Sequence, residues 1–144
     1  MSMYKHILFA TDFSSESRLA QTRAVEVARQ NDAQLSIIHV IDYLPVSQLD
    51  GGLSVVPDLE QKLNESAQDG LIACTAEISL QLNHEHICSG SPKHEITDYA
   101  ESIGADLIVL GSHGRHGLGL LLGSTANGVL HLARCDVLAV RVRD

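Results

Sequence analysis

Five short strand-like runs, most of them apolar, alternate along the chain with segments whose apolar residues recur at helical spacing, and this alternation restricts the fold more than any other feature. The runs cover residues 5–10, 35–41, 84–88, 106–110 and 137–142. Strands that are apolar on both faces and alternate with helices indicate a parallel sheet covered on both sides, connected by right-handed crossovers. The sequence therefore predicts a doubly wound α/β domain with the order β-α-β-α-β-α-β-α-β.

The four predicted helices cover residues 15–30, 58–82, 92–103 and 125–134. Asp58 is expected to cap the second helix, whose apolar face extends to Leu82. The third helix has signals at both ends, because Ser91-Pro92 is typical of a helix start and Gly104 of a helix end.

The chain has 144 residues, which suits one domain spanning residues 1–144, and no repeat or linker divides it. None of its apolar runs approaches the ~18 residues that a membrane span requires. The first predicted strand follows Met1 within a few residues and leaves no room for a signal peptide. We therefore expect a soluble cytoplasmic protein without a membrane partner.

Charge argues against nucleic acid as a ligand. The chain has 18 Asp and Glu against 10 Lys and Arg, a formal charge of −8. A field of that sign repels a polyanion. Two Phe, three Tyr and no Trp also leave few rings on which unpaired bases could stack.

The cysteines and histidines predict neither a disulfide nor a metal site. Cys74, Cys88 and Cys135 are widely spaced and form no C-x-x-C pair, so we expect reduced and mostly buried thiols. His84, His86 and Cys88 would share one face of a strand, but no fourth ligand is evident. Three further histidines are expected at strand or helix surfaces, without a catalytic role: His6, His39 and His131.

A glycine-rich loop, residues 111–125, directly follows the fourth predicted strand and precedes the last helix. Its glycines allow successive backbone N–H groups to point at phosphate oxygens. Ser124 and Thr125 then lie at a helix N-terminus, which favours an anion. The alternative interpretation, a glycine-rich turn with an ordinary Ser/Thr cap, remains open from these residues alone.

Two common phosphate-binding motifs are excluded. No lysine follows Lys93, so the loop is not the G-x-x-x-x-G-K-[ST] loop of the P-loop NTPases. The dinucleotide fingerprint would belong after the first strand, where residues 10–13 contain no glycine.

The same residues resemble the universal stress protein family. The segment Ala10-Thr11-Asp12-Phe13-Ser14 is similar to the family's first strand end, and Gly111-x-x-Gly114 with Gly123-Ser124 is similar to its nucleotide loop. The resemblance covers the whole chain, including residues 39–40, 90–92 and 135–140. The spacer of this chain, residues 115–122, is eight residues long, whereas ATP-binding members have nine.

The resemblance implies a five-stranded parallel sheet in the order 3-2-1-4-5 with ATP across the ends of the first and fourth strands. The general rule that ligands of open α/β sheets bind where the strand order reverses points to the same place. Asp12 and Val40 would line the adenine and ribose, with Ala10 and Thr11 beside Asp12. The phosphates would be held by Gly111, Gly114, Gly123, Ser124 and Thr125, and His113 and Arg115 would add positive charge.

The expected function is that of a regulatory module that binds ATP or another adenine nucleotide, with or without Mg²⁺, and turns over little or none of it. Asp12 is the one carboxylate that the sequence places beside the loop, and one carboxylate hardly suffices for phosphoryl transfer. Asp12 by itself is also typical of an Asx-turn. The alternatives are a slow ATPase or other nucleotide hydrolase or transferase, and a nucleotide-free interaction protein.

The last predicted strand, residues 137–142, is short, apolar and at the edge of the sheet. An uncovered edge can pair with a second copy of the chain, and the resembling family does dimerise through this strand. The sequence therefore predicts a homodimer. The regulatory protein partner of such a module is not identified by any motif.

Overall fold

The computed structural model describes residues 2–42, 56–113 and 122–141. Its elements are β1 (His6–Ala10), α1 (Ser15–Asn31), β2 (Gln34–Ile41), α2 (Val56–Ala76), β3 (Leu82–Ser89), α3 (Pro92–Ile103), β4 (Leu107–Gly111), α4 (Ser124–Leu132) and β5 (Asp136–Val140). The strands form one parallel sheet in the order β3-β2-β1-β4-β5. The predicted doubly wound α/β fold and its strand order are confirmed.

The sheet is covered by two helical layers, which explains why its central strands are apolar on both faces. Along β1, Ile7 and Phe9 face the layer of α1 and α2, while Leu8 and Ala10 face the layer of α3 and α4. Helix α1 packs on the sheet through Ala20, Ala24 and Ala28, and α3 and α4 each contribute an alanine beside a larger apolar residue, Ala100 with Ile96 and Ala126 with Val129. Alanine side chains let a helix lie close to the sheet.

The boundaries predicted for the second helix are wrong at both ends. Helix α2 begins at Val56 and ends at Ala76, and β3 already begins at Leu82. Asp58 therefore lies inside the helix and does not cap it. The apolar spacing continued past the true end because Ile78 and Leu82, although outside the helix, pack against the same α1–α2 layer.

Smaller differences concern the last helix, the last strand and one apolar position. Helix α4 begins at Ser124, one residue earlier than predicted, and β5 begins at Asp136. Val142, the predicted end of that strand, lies outside the described residues. Leu19, expected on the buried face of α1, is 36% exposed, because alanines make the contact with the sheet.

The thiols are reduced in the structure, and the three cysteines are free. Cys74 is buried, and burial raises the pKa of its thiol to about 11. Burial followed by the charge of Glu95 raises the pKa of the half-buried Cys88 to about 11 as well. Both thiols are therefore protonated at neutral pH and act as apolar fillers.

No helix in the described ranges is both long and apolar enough to cross a membrane. Likewise, no group of three or more His, Cys, Asp or Glu within those ranges could hold a metal ion.

The prediction that His6 and His39 lie at a surface is wrong, since both are buried, whereas His131 is exposed as expected. His6 has a polar partner on each side of its ring. Nδ1 lies 3.2 Å from the Ile103 carbonyl oxygen and Nε2 lies 2.7 Å from Ser36 Oγ. Because a carbonyl can only accept, Nδ1 donates, and the neutral ring accepts the Ser36 hydroxyl at Nε2.

This arrangement predicts a loss of stability in mild acid. Burial lowers the pKa of His6 from its ordinary value of 6.5, so below pH 6.5 the unfolded chain binds a proton that the folded chain does not. The contribution of His6 to the free energy of unfolding should be complete above that pH and should be lost as the pH drops toward the folded pKa. Urea unfolding of wild type at pH 7.5 and pH 5.5 measures this loss.

His6→Asn keeps a donor for the Ile103 carbonyl but does not titrate, so its loss between the two pH values should be smaller than that of wild type. His131→Asn, at an exposed position, should behave as wild type. Equal losses in His6→Asn and wild type would rule out His6 as the origin.

Candidate functional site

All five strands end at the same edge of the sheet because the sheet is parallel, and the order of the strands reverses between β1 and β4. Helices α1, α3 and α4 begin at this edge. Most of the residues singled out in the sequence lie on the connections here. This edge is therefore the candidate functional site.

The first part of the site is the β1–α1 turn, residues 11–14. Asp12 Oδ1 accepts hydrogen bonds from the Ser14 N–H at 2.9 Å and from Ser17 Oγ at 2.6 Å. Ser14 caps α1, and its Oγ accepts from the Ser17 N–H at 3.2 Å. The Asx-turn interpretation of Asp12 is confirmed, and these bonds hold its carboxylate in one orientation at the edge of the sheet.

Phe13 completes the turn in a conformation that few side chains adopt. Its φ is 63°, in the left-handed region. The ring stacks on His39 of β2 with centroids 4.2 Å apart and planes 24° apart. Helix α2 accommodates the ring at Gly70, where a Cβ atom would lie 2.7 Å from two of the ring carbons. The glycine that weakens α2 by helix propensity thus makes room for Phe13.

Gly70→Ala should therefore destabilise the protein by about 1–2 kcal/mol through overpacking, even though alanine is the better helix former by about 1 kcal/mol. Urea unfolding measures the change. In a Phe13→Ala background the clash is removed, so the same substitution should become neutral or stabilising. A stabilising Gly70→Ala in the wild-type background would contradict the proposed packing.

The second part of the site is the neck of the glycine-rich loop. The Ser112 N–H donates to the Val140 carbonyl at 2.8 Å, and the Gly123 N–H donates to the Ser112 carbonyl at 2.7 Å. These bonds bring the two ends of the loop together beside β5. At Gly111 a Cβ would meet only ordinary contacts, with the His113 carbonyl oxygen at 3.4 Å, so the fold does not require glycine there.

The middle of that loop, including the predicted residues Gly114 and Arg115, lies outside the described residues. His113, also predicted, is described: its Nδ1 lies 3.1 Å from Ser112 Oγ. Its Nε2 is buried, as is Oε2 of Glu16 in the first turn of α1, and neither atom has a hydrogen-bond partner within the described ranges. Glu16 was not singled out from the sequence, because an acidic residue in a first helical turn is common.

The third part of the site is a cleft of about 360 Å³ between the starts of α3 and α4, called here the α3–α4 cleft. Its lining in the part of the chain that the structure describes is Asp42, Gly90, Ser91, Pro92, Lys93, Ser124 and Thr125. The N-cap positions of α3 and α4 are Ser91, whose side chain makes no capping bond, and Gly123, which has no side chain to make one. The first amides of α4 and the positive ends of both helices are therefore available to an anion.

The two helices can approach each other this closely because of Gly128. A Cβ atom at Gly128 of α4 would lie 2.8 Å from Cβ of Lys93, in the first turn of α3. The glycine thus lets the Lys93 stem lie against α4. This contact places Lys93 beside Ser124 and Thr125.

The structure brings together some of the predicted residues but not all of them in one cavity. Ser124 and Thr125 line the α3–α4 cleft, whose described lining does not include Asp12. Val40 is half-buried against the α3–α4 layer of the core, and Ala10 and Thr11 are buried at the end of β1. Sequence reasoning missed Ser91 and Lys93 as site residues, although the Ser-Pro helix start was visible.

Comparison with known proteins identifies relatives along almost the entire chain. The family model described as the universal stress protein family matches residues 3–141. Universal stress protein A homolog 1 of Coxiella burnetii is 43% identical over 144 residues, which cover 98% of this chain and 99% of the relative.

Solved structures of this kind share the fold. UspA from Lactobacillus plantarum superposes with a TM-score of 0.74 at 28% identity, covering 99% of this chain and 100% of that one. A universal stress protein solved in complex with cAMP superposes with a TM-score of 0.63 at 26% identity, covering 96% and 98% of the two chains.

Proposed function

Because the chain belongs to the universal stress protein family, we propose that it binds ATP or another adenine nucleotide at the carboxyl edge of its sheet. The nucleotide would extend from the end of β1 to the α3–α4 cleft. Cytoplasmic ATP is the ligand we expect first.

The observation that carries the proposal is the meeting of two helix N-termini and a lysine in one cleft. The α4 amides and the hydroxyls of Ser124 and Thr125 are all donors, and Lys93 adds a positive charge. Phosphate oxygens are acceptors with negative charge, so they match this lining. In a protein whose formal charge is −8, a local site of this kind favours an anion that the overall field would otherwise repel.

The complex of a family member with cAMP supports an adenine nucleotide as the ligand class. We propose that Asp12 and Val40 contact its ribose and base, beside Ala10 and Thr11. The phosphates would be bound by Gly111, Gly114, Gly123, Ser124 and Thr125, assisted by His113, Arg115 and, as the structure adds, Lys93.

The bound nucleotide would act as a regulatory signal with little or no turnover. Oδ1 of Asp12 already accepts two hydrogen bonds, from Ser14 and Ser17, so this atom is poorly placed to remove a proton from a nucleophile. The second candidate function is slow hydrolysis, because Asp42 at the α3–α4 cleft supplies a further carboxylate that could hold Mg²⁺.

The test is to denature the freshly purified protein and identify any released nucleotide by mass spectrometry. The proposal predicts an adenine nucleotide in an amount approaching one per protomer, or tight binding when ATP is added back to stripped protein. Phosphate release over many turnovers that disappears in Asp42→Asn while ATP is still bound would favour the hydrolase. If the protein neither co-purifies with a nucleotide nor binds added nucleotide, the remaining candidate is a nucleotide-free interaction protein.

We further propose that the protein is a homodimer that pairs through β5. This strand is at the sheet edge, and its residues Val137, Leu138 and Ala139 are each partly exposed. The dimer would present one site per protomer to a regulatory protein partner.

A further inference from the structure

His39, a buried residue of β2, makes a hydrogen bond to Thr11, the residue that precedes Asp12. His39 is 9% exposed, and its Nδ1 lies 2.8 Å from the Thr11 carbonyl oxygen. Because a carbonyl oxygen only accepts hydrogen bonds, Nδ1 carries the proton and donates it. The ring is therefore held in a defined tautomer by the backbone of the β1–α1 turn.

The same ring also contacts the residue that follows Asp12. Phe13 stacks on it at 4.2 Å, and Phe13 is one of two non-glycine residues with positive φ in the described ranges. A phenylalanine in this region is strained and persists only where neighbours hold it. His39 on one side and Gly70 on the other provide that support.

Asp12 is thus flanked by two residues that contact one imidazole. Its own N–H donates to Ser17 Oγ at 3.3 Å, and its carboxylate accepts from Ser14 and Ser17. These bonds fix Asp12 relative to α1. The turn is tied to β2 by the Thr11 N–H, which donates to the Ile38 carbonyl at 3.0 Å, and by the two His39 contacts. The His39 contacts therefore add to the constraint on the direction of the carboxylate across the sheet edge.

We infer that His39 is a positioning residue for nucleotide binding, which acts by holding Thr11 and Phe13 and thereby orienting Asp12 toward the ligand. The inference rests on the proposed function. It assigns a role to a residue that the sequence analysis placed at a surface, without a part in the chemistry.

Two polar substitutions of similar size separate the hydrogen bond from the ring. In His39→Asn the amide nitrogen takes the place of Nδ1 and can still donate to Thr11, whereas in His39→Gln it corresponds to Nε2 and cannot. Both variants lose the stacking ring. ATP affinity, measured by calorimetry on the whole chain, should fall about tenfold in His39→Gln. In His39→Asn it should fall no more than about threefold. His131→Asn, at an exposed position of α4, is the control and should match wild type.

A double-mutant cycle tests whether His39 acts through Asp12. Asp12→Asn keeps Oδ1 as an acceptor for the turn but removes the charge. If His39 works by orienting Asp12, His39→Gln should cost little further affinity in the Asp12→Asn background. A purely structural role predicts instead that the losses of affinity of the two single variants multiply in the double variant. It also predicts that the loss of affinity in each variant parallels the drop in its urea midpoint.

The outcomes separate this inference from the proposed function. If wild type binds none of ATP, ADP, AMP and cAMP, the proposed function fails and the inference fails with it. If wild type binds but His39→Asn and His39→Gln bind equally well, or the losses multiply, the positioning role alone is wrong. Should His39→Gln not fold, the cycle is measured with His39→Asn, for which we expect a smaller coupling to Asp12. If the loss of affinity in His39→Asn multiplies fully with that in Asp12→Asn, the positioning role is again overturned.

Discussion

Replacement of Ser124 by aspartate is expected to lower ATP affinity about a hundredfold while leaving the domain at least as stable as wild type. The two effects have opposite signs for one reason. A carboxylate in the first turn of α4 interacts favourably with the positive end of the helix, by about 0.3–1 kcal/mol. The same carboxylate occupies the positive end that a phosphate would use, and like charges in contact cost several kcal/mol.

The matched control is Ser124→Asn, which has nearly the same shape and no charge. Its ATP affinity should stay within about fivefold of wild type, since only one hydroxyl is lost. Calorimetry gives the affinities and urea unfolding the stabilities. If Ser124→Asp binds ATP as well as Ser124→Asn does, the phosphates do not lie at the start of α4.

Replacement of Ala139 by proline is expected to convert the homodimer to a monomer without unfolding the domain. The Val140 carbonyl accepts from Ser112, which follows β4, so the polar groups of Val140 face β4. Directions alternate along a strand, and the N–H of Ala139 therefore points to the free edge. Proline there removes a donor that only a second copy would use, and its ring obstructs the approach of that copy.

The control is Leu138→Pro, one residue earlier, where the N–H faces β4 and proline removes a ladder hydrogen bond, so the substitution should cost about 1–3 kcal/mol of folding stability. Sedimentation equilibrium at micromolar concentration measures the assembly, and circular dichroism measures the fold. A wild-type monomer, or a dimer that persists in folded Ala139→Pro, would contradict pairing through β5.

The alternation of strands and helices along the chain was predictable because the residues that set it are local and strongly patterned, whereas the order of the strands within the sheet was predicted only from the resemblance to the family. Each buried strand is apolar on both faces, and Pro92 and Gly104 mark the ends of α3 within the sequence itself. Helix α2 was the exception. Ile78 and Leu82 continue its apolar spacing, yet they pack on the core from a turn and a strand, and periodicity does not distinguish these cases.

The candidate site was predictable only where its residues follow one another in the chain. Ser124 and Thr125 were found because they close a glycine-rich loop before a helix. Lys93 was not found, because its place beside them depends on the close contact of α3 with Gly128, a tertiary contact between residues 35 positions apart in the sequence. His39 was misjudged for the same reason, since its partners Thr11 and Phe13 lie on another strand connection.

The most direct test of the account is a calorimetric titration of nucleotide-stripped wild-type protein with ATP in the presence of Mg²⁺. The account predicts saturable binding of one nucleotide per protomer, greatly weakened in Ser124→Asp and retained in Ser124→Asn. The account would be contradicted if none of ATP, ADP, AMP and cAMP gave saturable heat or competed with another for the protein.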